Sequence, residues 1–425
     1  MDIAKLLDLP CGARLSNRLA KGAMTEGLAT AQGMPTPELE RLYALWSNGG
    51  AGMLLTGNVQ IDRDHLERPG NVIIYKAPDA AMRGALTRWA KAGTQGGNHL
   101  WMQISHAGRQ TQALINPTPK APSAVKLGLP GGQFGEPVAL TEKEIEDLIG
   151  RFAVVATAAR ETGFTGVQVH GAHGYLISQF LSPRSNVRTD AWGGSLENRA
   201  RFLMEAVKRV RAAVGADFPV SVKLNSADFQ RGGFAFEESL VVAQWLQEAG
   251  VDLLEISGGS YEQPAMMDME GLEPAARPDV AASTAQREAY FVDFAKAMKA
   301  KLSMPLMVTG GFRTARAMNH AIESGGADVI GIGRPMCADV DAPKKLLAGA
   351  ASIDRWEDKL RLFGPMFGWL KAFKMFRAID GFAVQYWYYA QLYALGRTGK
   401  ADPAMKVMPA WQEVERTHKT LAAQR

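Results

Sequence analysis

The run HGAHGY places His170, His173 and Tyr175 within six residues, directly after the apolar alternation GFTGVQV. Two imidazoles this close can ligate a metal, bind a substrate oxygen, or simply sit in a core that tolerates polar residues. A metal would ask for carboxylates or further histidines at neighbouring strand ends. The other histidines are His65, His99, His106, His320 and His418, and only His106 follows a strand, which weakens that reading. In the second reading the imidazoles donate paired hydrogen bonds to an oxygen as negative charge develops on it, and Tyr175 supplies a proton. A phenol with the ordinary pKa of about 10 keeps its proton at neutral pH, so the acid role needs no tuning. The arrangement calls for a reaction that creates an enolate-like anion.

A repeated unit must position these residues. Four phrases share one form, in which a helix-ending glycine and a small residue or Asp precede a short apolar run: GGAGMLLTG (49–57), GFTGVQVHG (163–171), AGVDLLEIS (249–257) and GGADVIGIG (325–333). Each follows a stretch of helical character, such as EKEIEDLIGRFAVVATAARETG. Between them RLAKGAM, HLWMQIS, PVSVKLN and PLMVTGG are further strand candidates. Apolar strands alternating with helices imply a parallel sheet covered on both faces, and eight of them predict a (β/α)8 TIM barrel. A doubly wound sheet is the alternative, but no G-x-G-x-x-G follows any strand, and GRTGK near 396 lacks phosphate-loop spacing. The insertions at 106–140, 171–197 and 257–283 all follow strands. In a barrel they gather at the C-terminal face, where active sites are built.

Composition narrows the class. The 425 residues are 47% hydrophobic and 21% charged, ordinary for a globular chain. The net charge of +5 comes from 48 basic and 43 acidic residues without a concentrated basic block, which argues for anionic cofactors and against nucleic acid. Cys11 and Cys337 are the only cysteines, too few for a disulfide framework or an iron–sulfur cluster, which fits a reducing cytoplasm. No secretory signal opens the chain, and no apolar run reaches the roughly 18 residues needed to span a bilayer, so membrane contact is not expected.

The stretch HGAHGYLISQFLSPRSNVRTDAWGGSLENRARF resembles the signature of the old yellow enzyme family, flavin-dependent ene-reductases built on an FMN-binding (β/α)8 barrel. AMT at 23–25, WMQISHAGRQ at 101–110, VTGGF at 308–312 and IGRP at 332–335 fall in the family's order, and the likeness covers residues 1–345. It implies flavin contacts from Ala23, Met24 and Thr25, room beside the ring at Gly57, and a pyrimidine-edge amide at Gln103. Lys223 would face the electron-rich edge near N1, where the family more often has arginine; lysine keeps the charge and loses the planar fork. A buried lysine also needs an anion, so pairing with Asp228 or Glu255 is its plain structural alternative. Gly310, Gly311, Gly333 and Arg334 follow the seventh and eighth strands, where a barrel commonly binds phosphate.

The implied reaction is ping-pong. NAD(P)H reduces FMN, and flavin N5 then delivers hydride to the β carbon of an activated alkene held by His170 and His173, with Tyr175 protonating the α carbon. His106 and Arg109 border the pocket without a catalytic role, Ser195 and Asn198 cap the next helix, and Arg199 or Arg201 is structural. Two alternatives stand beside this: a metal-dependent hydrolase using His170, His173 and Lys223, and a non-catalytic flavin-binding protein. Residues 346–425 form an aromatic-rich helical extension, with Lys371, Lys374 and Arg377 interleaved, that packs over the barrel or against a second subunit of a homo-oligomer.

Overall fold

The computed structural model describes residues 1–129, 132–260, 262, 292–363 and 374–425. Eight strands appear where the sequence pattern puts them: β1 (Leu19–Lys21), β2 (Met53–Leu55), β3 (His99–Ser105), β4 (Gly166–Gly171), β5 (Val220–Asn225), β6 (Leu253–Ser257), β7 (Leu306–Thr309) and β8 (Val329–Ile332). Each pairs in parallel with the next, and β8 returns to β1 through Ile330↔Leu19, closing the cylinder. The doubly wound alternative is excluded by that closure. Helices α1 (Pro37–Ser47), α2 (Ala80–Thr94), α3 (Glu142–Glu161), α4 (Leu176–Leu181), α5 (Leu196–Val214), α6 (Phe236–Glu248), α7 (Val292–Lys299) and α8 (Ala315–Glu323) lie between successive strands, and α9 (Ala342–Leu347) follows β8.

Local chemistry supports these elements. The side chains of Thr36, Asp79, Thr141, Ser195 and Thr314 accept the backbone N–H three residues on, satisfying donors that a helix start leaves free. In α3 the buried Ile145, Leu148, Ile149, Phe152, Val155 and Ala156 recur at three- and four-residue steps, forming the stripe that meets the barrel. All of β4, β5 and β6 is buried, as expected of a sheet covered on both faces.

Alternation decides what enters the cylinder. Ala20, Met53, Leu55, Trp101, Leu253, Met307 and Val329 form one inner apolar cluster with Leu7, Leu9 and Leu15, so a short N-terminal hairpin plugs one end. Two residues further along the same strands the inward positions turn polar: Gln103 above Trp101, Glu255 above Leu253, Thr309 above Met307. The apolar floor therefore supports a polar layer facing the C-terminal mouth.

After β8, α10 (Lys374–Thr398) and α11 (Val407–Ala423) pack together, and α10 also lies against α1. Arg41 Nη1 donates to Arg397 O at 2.9 Å, and Trp387 Nε1 donates to Met405 O at 2.8 Å. Lys371, the side chains of Lys374 and Arg377, and most of the 257–283 insertion lie outside the described residues. Among the described residues no helix is long and apolar enough to cross a membrane.

Candidate active site

β4 and its following loop carry the opening motif. His170 projects from the strand end, its Nδ1 3.2 Å from Ala172 N, whose N–H it accepts. Its proton therefore resides on Nε2, free to donate. His173 holds a left-handed backbone, φ 62°, and its N–H donates to Asn225 Oδ1 at 3.1 Å. That unfavourable conformation in a non-glycine residue aims the ring back over the barrel. The His170 ring lies 5.2 Å from that of His173 and 4.9 Å from that of Tyr175, both edge-on. Burial, and then the charge of Lys223, pushes both imidazoles well below their ordinary pKa, so they act as neutral donors.

Two details go beyond the sequence motif. His173 Nε2 is 2.6 Å from Ser257 Oγ on β6, a contact that holds the ring whichever of the two groups donates. Asn58 Nδ2 reaches Thr25 Oγ1 at 3.3 Å and Tyr175 Oη at 3.5 Å, bringing the first and fourth loops together. Asn58 Oδ1 is buried without a partner among the described residues. The signal for Asn58 was an amide directly after the glycine that ends β2, and sequence reasoning passed over it.

Below the motif runs a buried relay across four strands. Gln103 Nε2 donates to Gln168 Oε1 at 2.7 Å, Gln168 Nε2 donates to Glu255 Oε2 at 2.9 Å, and Lys223 Nζ pairs with Glu255 Oε1 at 2.9 Å. Glu255, and not Asp228, is the anion that a buried Lys223 requires. Gln168 and Glu255 were legible by the same signal as Gln103 and Lys223, a lone polar residue in an apolar strand.

The first strand's contacts divide. Ala23 packs on the inner cluster, while Met24 belongs to the outer one, its Sδ 3.3 Å from Cys337 Sγ. At Gly57 a Cβ would meet Glu26 Oε2 at 2.3 Å and Met24 O at 2.4 Å. Glycine is required because the first loop crowds it, and its N–H donates to Glu26 Oε1 at 2.8 Å.

At the ends of β7 and β8, Gly310 (φ 131°) and Gly311 (φ 77°) take conformations open to glycine. A Cβ on Gly333 would meet nothing closer than Met24 Sδ at 4.0 Å, so its backbone has open approach. The Arg334 guanidinium makes no hydrogen bond or ion pair with the described residues and borders a cavity of about 180 Å³ shared with Glu357, Arg361, Asp380 and Tyr388. Arg313 lies nearby, held by Glu357 at 2.6 Å. The helical extension thus reaches the end of the site where Gly333 and Arg334 lie.

Beside the mouth, Asp62, His65 and His106 bring their ligand atoms within 4.8 Å of one another. Lys120 N–H donates to His65 Nε2 and Gly108 N–H to His106 Nδ1, at 2.8 and 3.0 Å. Each ring, when neutral, then carries its proton on the nitrogen facing Asp62, with His65 Nδ1 3.3 Å and His106 Nε2 3.9 Å from its carboxylate oxygens. Arg109 pairs with Glu262 at 2.8 Å. Ser195 caps α5 through Asn198 N, Arg199 pairs with Glu238, and Arg201 donates to Ala191 O, in line with their structural assignment.

A flat heterocycle with alternating donors and acceptors and a phosphate tail fits this set. The Gln103 amide and Lys223 present polar groups, Asn58 Oδ1 and Thr309 Oγ1 lack partners among the described residues, and the Arg334 guanidinium is unpaired among them. The profile of the NADH:flavin oxidoreductase / NADH oxidase family matches residues 11–352. The chain belongs to that family. It is 37% identical to the NADH-dependent flavin oxidoreductase iliE of Hypocrea jecorina over 362 residues, 80% of this chain and 88% of the relative. To iccE of Talaromyces variabilis, another NADH-dependent flavin oxidoreductase, it is 34% identical over 417 residues, 94% of this chain and 99% of the relative, so the likeness reaches into the extension. Among solved structures, a 2-naphthoyl-CoA reductase complex superposes with a TM-score of 0.73 and 27% identity, over 82% of this chain and 52% of that one. As a member of the family, the old yellow enzyme family of the motif resemblance, the protein is an FMN-dependent NAD(P)H oxidoreductase.

Proposed function

We propose that the protein reduces activated alkenes, such as enones or nitroalkenes, with NAD(P)H as the reducing co-substrate. The observation that carries this is the convergence of His170, His173 and Tyr175 on one mouth above Lys223. FMN, when bound, would supply the hydride relay between the nicotinamide and the β carbon of the alkene. Gln103 and Thr25 would hold the ring's polar edge, Lys223 its electron-rich side, and the backbone of Gly310, Gly311 and Gly333 with Arg334 the phosphate. The protein's own contribution to the chemistry is electrostatic and acid–base. Neutral His170, through Nε2–H, and neutral His173 stabilise the oxygen as it becomes anionic. Tyr175 gives its phenolic proton to the α carbon and regains one from solvent. Asn58, by donating to Tyr175 Oη, steadies the phenolate that forms in between.

The hydrolase alternative loses support on its own ligands, since Lys223 is paired to Glu255 and His173 Nε2 faces Ser257. The test is Tyr175→Phe in the flavin-loaded protein. It should keep its flavin and be reduced by NADH or NADPH as the parent is, while reoxidation by 2-cyclohexenone slows by about a hundredfold or more. Reoxidation at the parental rate would overturn Tyr175 as the acid, and a parent that neither binds FMN nor turns over any activated alkene would overturn the reading.

A further inference from the structure

Lys223 is not a bare cation. Its partner Glu255 is fully buried on the neighbouring strand, in direct register with it, and lies on the inward face because Leu253, two residues earlier, belongs to the inner apolar cluster. One carboxylate oxygen faces Lys223 Nζ at 2.9 Å, and the other accepts from Gln168, itself tied to Gln103. The whole relay is buried, so its charges are weakly screened by solvent.

Hydride transfer adds two electrons and one proton to the neutral isoalloxazine, leaving a monoanion unless a second proton follows from solvent. A lone buried cation beneath the ring would favour that product strongly. An ion pair of nearly zero net charge favours it far less.

We propose that Glu255 sets the reduction equilibrium of the bound flavin by cancelling the charge of Lys223. This rests on the flavin-site reading above, in which Lys223 faces the ring. The consequence is directional: the pair makes the flavin harder to reduce, and once reduced a stronger hydride donor to the alkene. Glu255 acts through Lys223 and is a positioning and charge-setting residue, not a catalytic one.

The test is the midpoint potential of FMN bound to the full-length protein, from dye-equilibrated reduction titrations at neutral pH. Glu255→Gln keeps the shape and removes the charge. It should shift the two-electron reduction equilibrium at least tenfold toward reduced flavin, a rise of about 30 mV, while affinity for oxidised FMN changes less than that. Glu255→Leu, a second neutral variant, should move the potential the same way. Glu255→Asp keeps the charge and should leave it near the parental value. Lys223→Gln should lower the potential and reports whether Lys223 senses the flavin at all. If Lys223→Gln moves the potential and both neutral Glu255 variants leave it in place, the inference is wrong although the flavin-site reading stands. If none of the four variants moves it, Lys223 is not beside the ring, and the inference falls together with that residue's assignment.

Discussion

Lys21 and Lys223 are both buried lysines in apolar barrel strands, and they face opposite ways. Lys21, on β1, points outward beneath α1, where its Nζ donates to Leu55 O at 2.6 Å and lies 4.3 Å from the Trp46 ring. Burial pulls its pKa down to about 8, against the attraction of Glu26. Lys223, on β5, points inward and meets Glu255 at 2.9 Å. The outward lysine is satisfied by a carbonyl and aromatic faces, groups that offer a bound molecule nothing. The inward one sits in a relay that opens toward the mouth. A charge inside an apolar strand therefore reports burial; the face of the strand reports what the charge is for.

The sharpest way to break this comparison is to remove the inward cation. Lys223→Met leaves the fully buried Glu255 carboxylate without a counter-charge, and stability should fall by about 3–5 kcal/mol in urea unfolding. The double variant Lys223→Met/Glu255→Leu should recover most of that loss, because an apolar pair of similar volume replaces a desolvated ion pair. A double variant as unstable as the single one would mean that Lys223 supports the barrel by packing, as Lys21 does.

The cylinder was legible because parallel strands covered on both faces read as apolar runs, and eight such runs leave few topologies. The motif residues followed from resemblance, and the mouth gathered them. What escaped follows a physical pattern. Lys21 in RLAKGAM carried the same signal as Lys223 in VSVKLN, yet alternation assigns a face only once one residue of the strand is known to point inward. Gln168 was passed over, and Glu255 was named only beside Asp228 as a partner for Lys223, because pairing across strands depends on a register that one strand cannot state. At Gly57, Glu26 and Met24 O forbid a Cβ, a crowding that arises between loops 31 residues apart and that neither segment states alone. The reach of the extension to Arg334 through Glu357 and Tyr388 was hidden because an aromatic-rich helix tells that it packs, not on what.

The next largest effect lies on the outward lysine and is a pH dependence. Its folded pKa, about 8, is below the ordinary 10.5, so between these values the unfolded chain binds more protons than the native one. Stability from this group must then rise with pH across that window, by about 2–3 kcal/mol in total. Tyr43, whose pKa burial raises, opposes the trend only where unfolded tyrosine ionises, near pH 10 and above. Cys337, whose thiol burial pushes up to about 12, opposes the trend from about pH 9, so Lys21→Met should make the slope between pH 8 and 10 less positive than the parent's in denaturant titrations, whatever it does to absolute stability. An unchanged slope would show that Lys21 is not strained by burial and that the two lysines differ less than their surroundings imply.

The smallest effect tests the inward face at its rim. Ser257→Ala removes the hydroxyl 2.6 Å from His173 Nε2 and so the group that holds the ring's orientation and tautomer. Flavin content should not change, and binding of a phenol at the mouth, followed by the shift in flavin absorbance, should weaken about threefold to tenfold, the worth of one neutral hydrogen bond. Because both imidazoles titrate well below neutrality, the loss should be the same at pH 6 and pH 8. Tighter binding in the variant would reverse the assignment, since it would mean that Ser257 competes with the ligand for the His173 proton instead of directing it, and the relay's upper edge would then restrain the donor pair where this reading has it supporting them.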